Sequence, residues 1–279
     1  MLDISHVAKI SDPEERAKAL GVLIDETQAT ALELSRLRRE ALIELLNGGK
    51  TQAQLAELLG ISRSRVSMML SSGSRPERAF FGTGNLTIAI GVKPEVGRSD
   101  PSNMLSAEAL GAYEALAAAA KAAGLDADRE LIPPPGMVDL NRPNLIVLTS
   151  PRLLPFIGQV MGADTHLSFT NDENGWYIVD RTTGTEYRSP RDRGEAADYA
   201  YIGRLPRPDG KGTFLYIAGI HAQGTLSAAE YVADNLKELH KELKTRRFST
   251  VLRCRFEPEG DRKITNCERV TPLYRHEGV

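Results

Sequence analysis

The stretch from Gln52 to Leu70 constrains the fold of this chain more than any other. Two short apolar segments are joined at Gly60, and glycine adopts a positive φ more easily than residues with a Cβ, so a tight turn is predicted there. Ala56 is small where a second helix has to approach, and Ser62 is placed to cap that helix. The expected shared core consists of Leu55, Ile61, Val66 and Met69. The stretch therefore predicts two short helices that cross closely.

These residues resemble the helix-turn-helix DNA-binding unit of bacterial repressors and of the promoter-reading module of sigma factors. The resemblance covers about 20 residues, or about 35 with the preceding helix. In this motif the second helix enters the major groove of double-stranded DNA and its first side chains touch base edges. The resemblance implies DNA contacts from Gln52, Ser62, Arg63, Ser64, Arg65, Ser67 and Met68. A plain helical hairpin is the alternative interpretation.

The charge of the chain is distributed unevenly. The formal net charge is −2, yet the window from Arg36 to Arg78 carries +4 and the remainder carries −6. A basic segment attached to an acidic body favours a polyanionic partner for that segment. The distribution is therefore compatible with a DNA-binding first domain.

A long helix is predicted before the two short ones. Asp12 is placed to cap it, Pro13 takes the first helical position, and apolar or threonine residues then recur from Leu20 to Ala41. One helix of up to ~35 residues would be ~50 Å long, too long for a small domain to bury alone. We therefore expect this helix to form the seam of a homodimer. A break near Asp25, giving two ordinary helices, is the alternative.

The chain after this helical segment changes in character. The sequence predicts a helical domain over residues 1–72, a linker over 73–84 and an α/β domain over 85–279. Continuous apolar runs such as Leu86–Val92 and Asn144–Thr149 are typical of strands buried on both faces, and they alternate with helical patterns. The predicted fold class is α/β, in which an N-terminal all-α helix-turn-helix domain precedes a Rossmann-like three-layer domain. Its sheet is expected to be mostly parallel, with an antiparallel hairpin at the edge.

That hairpin contains both cysteines of the chain. A two-residue turn at Gly260-Asp261 would pair Cys254 with Cys267, Arg253 with Glu268 and Phe256 with Thr265. Facing cysteines can form a cross-strand disulfide, but two packed thiols are the default in a reducing compartment. Two cysteines are too few for a four-thiolate zinc site, so we expect no metal, and we also expect no cofactor.

A ligand is expected where the loops that follow the strands converge, because open parallel sheets bind ligands beyond the carboxyl ends of their strands. Gly219 and Gly224 would let the backbone approach a ligand, and Thr225 or Ser227 would cap a helix whose N–H groups favour an anion. Arg152 would supply a guanidinium fork. The predicted ligand-binding residues are Ser150, Arg152, His221, Gln223, Gly224 and Thr225.

These features predict a cytoplasmic DNA-binding transcriptional regulator that senses a small anionic or nucleotide-like effector. No catalytic residue is assigned. The alternative is a nucleotide- or nucleoside-processing enzyme fused to a helix-turn-helix localisation module, in which His221 acts with Asp164 or His166 as an acid–base pair. A protein–protein adaptor is a third possibility. The apolar runs are too short for a transmembrane helix, so a membrane partner is not expected.

Overall fold

The computed structural model describes residues 4–71, 76–82, 85–97, 99–100, 102–154, 156–259 and 263–276. Its helices are α1 Ile4–Val7, α2 Pro13–Asn47, α3 Gln52–Leu59, α4 Arg63–Ser71, α5 Pro76–Phe81, α6 Ala107–Ala122, α7 Ile157–Met161, α8 Ala222–Asp234 and α9 Leu236–Leu243. Its strands are β1 Leu86–Gly91, β2 Lys93–Pro94, β3 Asn103–Met104, β4 Ala127–Ile132, β5 Leu145–Leu148, β6 Leu167–Asp172, β7 Gly175–Asp180, β8 Thr185–Arg188, β9 Ala197–Pro206, β10 Thr213–Gly219, β11 Phe248–Phe256, β12 Ile264–Arg269 and β13 Tyr274–Arg275. The chain divides into two units, residues 1–75 and 76–279.

All the helices and strands assigned in the described residues of the first unit are α-helices. Helix α2 runs without interruption through Asp25, and the carboxylate of Asp12 accepts hydrogen bonds from the first-turn backbone N–H groups of Glu14 and Glu15. The alternative of two broken helices is therefore not what the structure contains. No helix among the described residues is long and apolar enough to cross a membrane.

Helices α3 and α4 pack against the end of α2. Thr51 caps α3 in a reciprocal capping box with Gln54, which was not predicted from the sequence. Gly60 has a φ of 65°, as the turn required. The buried core consists of Leu42 from α2, Leu55 and Ala56 from α3, and Val66 from α4, with Ile61 and Met69 packed against it.

The second unit begins earlier than expected. Residues 76–81, which the sequence assigned to the linker, form α5, and residues 73–75, 83 and 84 of that segment lie outside the described part of the chain. Phe80 and Phe81 are buried in the apolar core of this unit. The buried guanidinium of Arg204 donates to the Phe80 carbonyl over 2.7 Å. Apolar burial and this hydrogen bond explain why the segment is a helix of the second unit.

A mixed sheet forms the centre of the second unit. In the described residues its strands follow the order β12-β11-β9-β10-β5-β1-β4, and β13 also pairs with β11. Strands β4, β1, β5 and β10 are mutually parallel, whereas β9, β11, β12 and β13 join the sheet in antiparallel pairs. The protein is thus a mixed α/β protein. Its antiparallel part is far more than the edge hairpin that we predicted.

Side chains of successive strand residues point to opposite faces of this sheet, and buried apolar side chains lie on both faces. Helices α5, α6, α8 and α9 cover one face. The other face is covered by α7 and by a three-stranded antiparallel sheet, β6-β7-β8. One outer layer is therefore largely a small sheet, which the Rossmann-like prediction did not include. Trp176 on β7 packs partly buried against this second core.

The predicted pairing of the C-terminal hairpin is largely correct. Cys254 lies opposite Cys267, and Arg253 lies opposite Glu268. A bulge after Arg255 shifts the register, so Phe256 pairs with Ile264 and not with Thr265. The two cysteines are joined by a disulfide, where we expected packed thiols. The turn residues 260–262 lie outside the described part.

Candidate DNA-contact helix and ligand pocket

Helix α4 presents the side chains that the sequence assigned to DNA. The Ser62 hydroxyl accepts the backbone N–H of Arg65 over 3.2 Å, so Ser62 caps α4 as expected. Four of the assigned residues on α4 are exposed together with Ser62, namely Arg63, Ser64, Arg65 and Ser67. Gln52 is half-buried at the start of α3. The side chain of Met68 lies outside the described residues.

The opposite side of α4 is held by the rest of the first unit. Val66 is fully buried, and the Arg39 guanidinium of α2 donates to the Leu70 carbonyl near the end of α4 over 2.9 Å. The sequence of α4 contains two arginines and no acidic residue. The unit therefore fixes one face of a short cationic helix and leaves the other face exposed.

In the second unit the loops that follow β1, β5 and β10 meet at one cavity of about 190 Å³. It lies beyond the carboxyl ends of β1, β5 and β10, where the rule for parallel sheets places ligands. Its lining residues are Gly91, Lys93, Met104, Ser106, Ala109, Leu148, Thr149, Ser150, Arg152, Leu153, Gly219, His221, Ala222 and Thr225. Four of the six predicted ligand residues are among them: Ser150, Arg152, His221 and Thr225.

The lining offers hydrogen-bond donors. The Ser106 hydroxyl oxygen accepts the Ala109 N–H over 3.2 Å, and the Ser150 hydroxyl oxygen accepts both the backbone N–H and the Nε of Arg152 over 3.4 Å. Both O–H groups remain able to donate. Nη2 of Arg152 donates to the Ile220 carbonyl over 3.0 Å, which holds the guanidinium at the cavity. Within the described residues, neither Arg152 nor Lys93 forms an ion pair with a carboxylate.

At the start of α8, where the sequence predicted an anion site, a carboxyl group of the protein is already bonded to part of the helix N-terminus. The buried carboxylate of Asp198, on β9, accepts the backbone N–H groups of His221 and Gly224 over 2.9 and 3.2 Å. Burial raises the pKa of Asp198 to about 6, against the opposing effects of the Ser189 hydroxyl and the His221 N–H. Two backbone N–H groups at the start of α8 are thus already bonded to a carboxyl group of the protein itself.

The glycines and polar groups of this loop are also committed to internal packing. A Cβ on Gly224 would collide with Asp198 Oδ2, and a Cβ on Gly219 would collide with the Thr225 backbone. The Gly219 N–H donates to the Thr225 hydroxyl over 2.8 Å, and Gln223 donates to the Glu108 carboxylate over 2.6 Å. The missing side chains of Gly219 and Gly224 therefore serve internal packing, while Gly219 also lines the cavity. Neither Gln223 nor Gly224 lines the cavity.

Helix α8 begins at Ala222, before the two residues, Thr225 and Ser227, that were expected to cap it. Thr225 and Ser227 are helical residues buried within α8, so neither is its N-cap. The Asp198 carboxylate satisfies the early N–H groups that an N-cap side chain usually satisfies. The sequence gives no signal for this contact. It depends on β9, which begins beside Asp198, running antiparallel to β10.

The acid–base pairs considered from the sequence are not formed. Nε2 of His221 lies 2.7 Å from Asp192 Oδ1, a partner that the sequence reading missed. Asp164 instead accepts the Tyr201 hydroxyl over 2.9 Å and lies 3.4 Å from His276 Nε2. His166 contacts the Thr182 hydroxyl.

The cluster around Asp164 is not arranged as a catalytic relay. Ser249 contacts the same nitrogen of His276 that faces Asp164, whereas a relay requires the two ring nitrogens to have different partners. Ser249 is also fully buried. Among the described residues, no group of three or more histidine, cysteine or acidic side chains is placed to hold a metal ion.

Comparison of the chain with protein-family models, with curated proteins and with solved structures finds no match. We therefore infer the function from the geometry of α4 and of the cavity.

Proposed function

We propose that this protein is a DNA-binding transcriptional regulator whose second unit binds a small anionic effector. The observation that carries the proposal is the α3–α4 pair: a close turn at Gly60, a small buried core and an exposed helix with Arg63 and Arg65 near its start. These are the features by which a helix-turn-helix presents its second helix to the major groove.

The geometry of α4 suits this role. An α-helix with its side chains is ~10–12 Å wide, and the major groove of B-DNA is ~12 Å wide. Arginine side chains pair with guanine through two hydrogen bonds or contact phosphates, and the serines of α4 can bond to either bases or phosphates. Gln52, at the start of α3, is then expected to contact the DNA backbone.

We further propose that the protein acts as a homodimer joined through α2. Leu20, Leu34 and Leu37 are 38%, 61% and 47% exposed on this helix, and Leu20 and Leu34 lie two heptads apart. A second copy of α2 would cover this apolar stripe. A dimer presents two α4 helices, so it can contact two half-sites and a longer DNA site than one copy can.

The role of the cavity follows from the same proposal. An effector changes the affinity for DNA only when the dimer has two conformations and the effector binds one of them more tightly than the other. If the effector changes the affinity for DNA by some factor, linkage requires that DNA change the affinity for the effector by the same factor. The convergence of the three strand-end loops at one cavity supports an effector site in the second unit.

The DNA assignment is tested by a gel shift at fixed salt, with a duplex selected from a random pool by the wild-type protein. Replacing Arg63 and Arg65 together by alanine should weaken binding by about 1–3 kcal/mol for each arginine that contacts a guanine. Lys18→Ala is the matched control, because Lys18 is an exposed cation of the same unit near the start of α2. Unchanged affinity in the R63A/R65A variant would refute the assignment.

A further inference from the structure

We infer that the cavity at the ends of β1, β5 and β10 binds a compact organic oxyanion, a carboxylate or phosphate monoester on a small apolar body, and not a nucleotide. This inference deepens the proposed function and rests on it, since it names the chemistry of the effector. The sequence predicted the anion at the start of α8, where the Asp198 carboxylate lies. We place the anion instead beside Lys93 and Arg152, which line the cavity.

Charge and hydrogen bonding select an oxyanion. Lys93 and Arg152 both line the cavity, and no acidic residue is among its described lining residues. The hydroxyl oxygens of Ser106 and Ser150 accept hydrogen bonds from the protein, and each O–H group can still donate one to a ligand. A site with two cations and two O–H donors complements a group that only accepts hydrogen bonds. Carboxylate and phosphate oxygens are such acceptors.

The rest of the lining selects a compact apolar body. Met104, Ala109, Leu148, Leu153 and Ala222 contribute apolar walls to the cavity. Burying an apolar group against such walls adds affinity in proportion to the area removed from water. The oxyanion end is therefore held by the donors while the remainder of the ligand packs against these side chains.

Size and composition argue against a nucleotide. The cavity has about 190 Å³, below the ~300–1,000 Å³ that is usual for sites of drug-sized ligands. No phenylalanine, tyrosine or tryptophan is among the described residues that line it, so a base would find no aromatic ring of these types to stack on.

Isothermal titration of the full-length protein with four probes tests the inference. The probes are benzoate, its neutral isostere benzamide, phenyl phosphate and AMP. We expect benzoate or phenyl phosphate to bind, benzamide to bind at least about tenfold more weakly than benzoate, and AMP to bind more weakly than the better oxyanion. The stronger of the two oxyanions identifies the head group.

Lys93→Gln and Arg152→Gln should each weaken oxyanion binding by about tenfold or more. Lys121→Gln is the matched control, because Lys121 is an exposed lysine in the last turn of α6 and does not line the cavity. Lys93 is exposed and makes no ion pair with the described residues, so its replacement tests the charge without disturbing the fold.

Four results would overturn the inference: equal binding of benzamide and benzoate, tighter binding of AMP, no binding by either oxyanion at millimolar concentration, or unchanged affinity in K93Q and R152Q. Gel shifts on the same preparations separate this inference from the proposed function. Oxyanion binding without DNA binding would refute the regulator and leave the site standing. DNA binding that depends on Arg63 and Arg65, with no oxyanion binding, would refute the site alone.

Discussion

Gly224 and Asp198 are fitted to each other at the start of α8. Asp198 Oδ2 accepts the Gly224 N–H over 3.2 Å, and a Cβ on Gly224 would also lie 3.1 Å from the Gly219 Cα. This contact closes the loop that contributes His221 to the cavity. A side chain at residue 224 would have to push the carboxylate and the end of β10 apart.

Gly224→Ala should therefore destabilise the protein by about 1–3 kcal/mol, the usual cost of inserting a methyl group into a closely packed site. Gly158→Ala in α7 is the control, because its Cβ would meet no atom within 4 Å and its φ is not positive. We expect that control to be neutral or to gain up to about 1 kcal/mol. Urea unfolding measures both, and a G224A protein as stable as G158A would contradict the packing described here.

Residues with local roles could be predicted from the sequence, and residues with distant partners could not. The positive φ of Gly60 and the cap at Ser62 follow from neighbours within a few positions, so their roles were predicted correctly. Asp198 acts on backbone groups more than twenty residues away. Without knowledge of the strand pairing, no sequence rule assigns that contact.

Elements with a continuous apolar pattern could be located within one or two residues. Strands β1 and β5 belong to this class, since burial on both faces leaves a continuous apolar run. Strand β4 was missed because it lies at the sheet edge and carries Asp128, Arg129 and Glu130. The helix expected to begin near Thr225 or Ser227 is followed by a second one, and the two helices, α8 and α9, meet at Asn235. The Asn235 side chain donates to the Tyr231 carbonyl over 2.8 Å, a local bond that competes with the helix.

At the scale of the element, α2 carries the proposed dimer contact. Replacing Leu34 and Leu37 together by glutamate should convert the dimer to a monomer, because charges in an apolar seam are costly to bury. Both leucines are exposed within one chain, so the fold of the monomer should be retained. Ser35→Glu, at an exposed neighbouring position, is the control. Sedimentation equilibrium measures the mass.

Two outcomes of that experiment would refute the α2 seam. A wild-type protein that is monomeric at micromolar concentration, with and without DNA, would exclude the dimer. A dimer that persists in L34E/L37E would move the contact to another surface, with an edge of the α/β sheet as the alternative.

At the scale of the whole molecule, the location of the cavity could be predicted from the sequence but its chemistry could not. Alternating strands and helices were enough to expect convergence beyond the carboxyl ends of β1, β5 and β10. The polarity of β9 could not be read from its own apolar pattern, because a buried strand looks the same in either direction. That polarity brings Asp198 to the same edge as the end of β10, where its carboxylate bonds to the start of α8.

Hydroxyl-radical footprinting on the pool-selected duplex records where two α4 helices of a dimer would meet DNA. We expect two protected tracts whose centres lie about one helical turn, ~34 Å, apart. Both tracts should be retained in K18A and lost in R63A/R65A at the same protein concentration. Protection that persists in R63A/R65A, or a single tract in place of two, would contradict a dimer that reads DNA through α4.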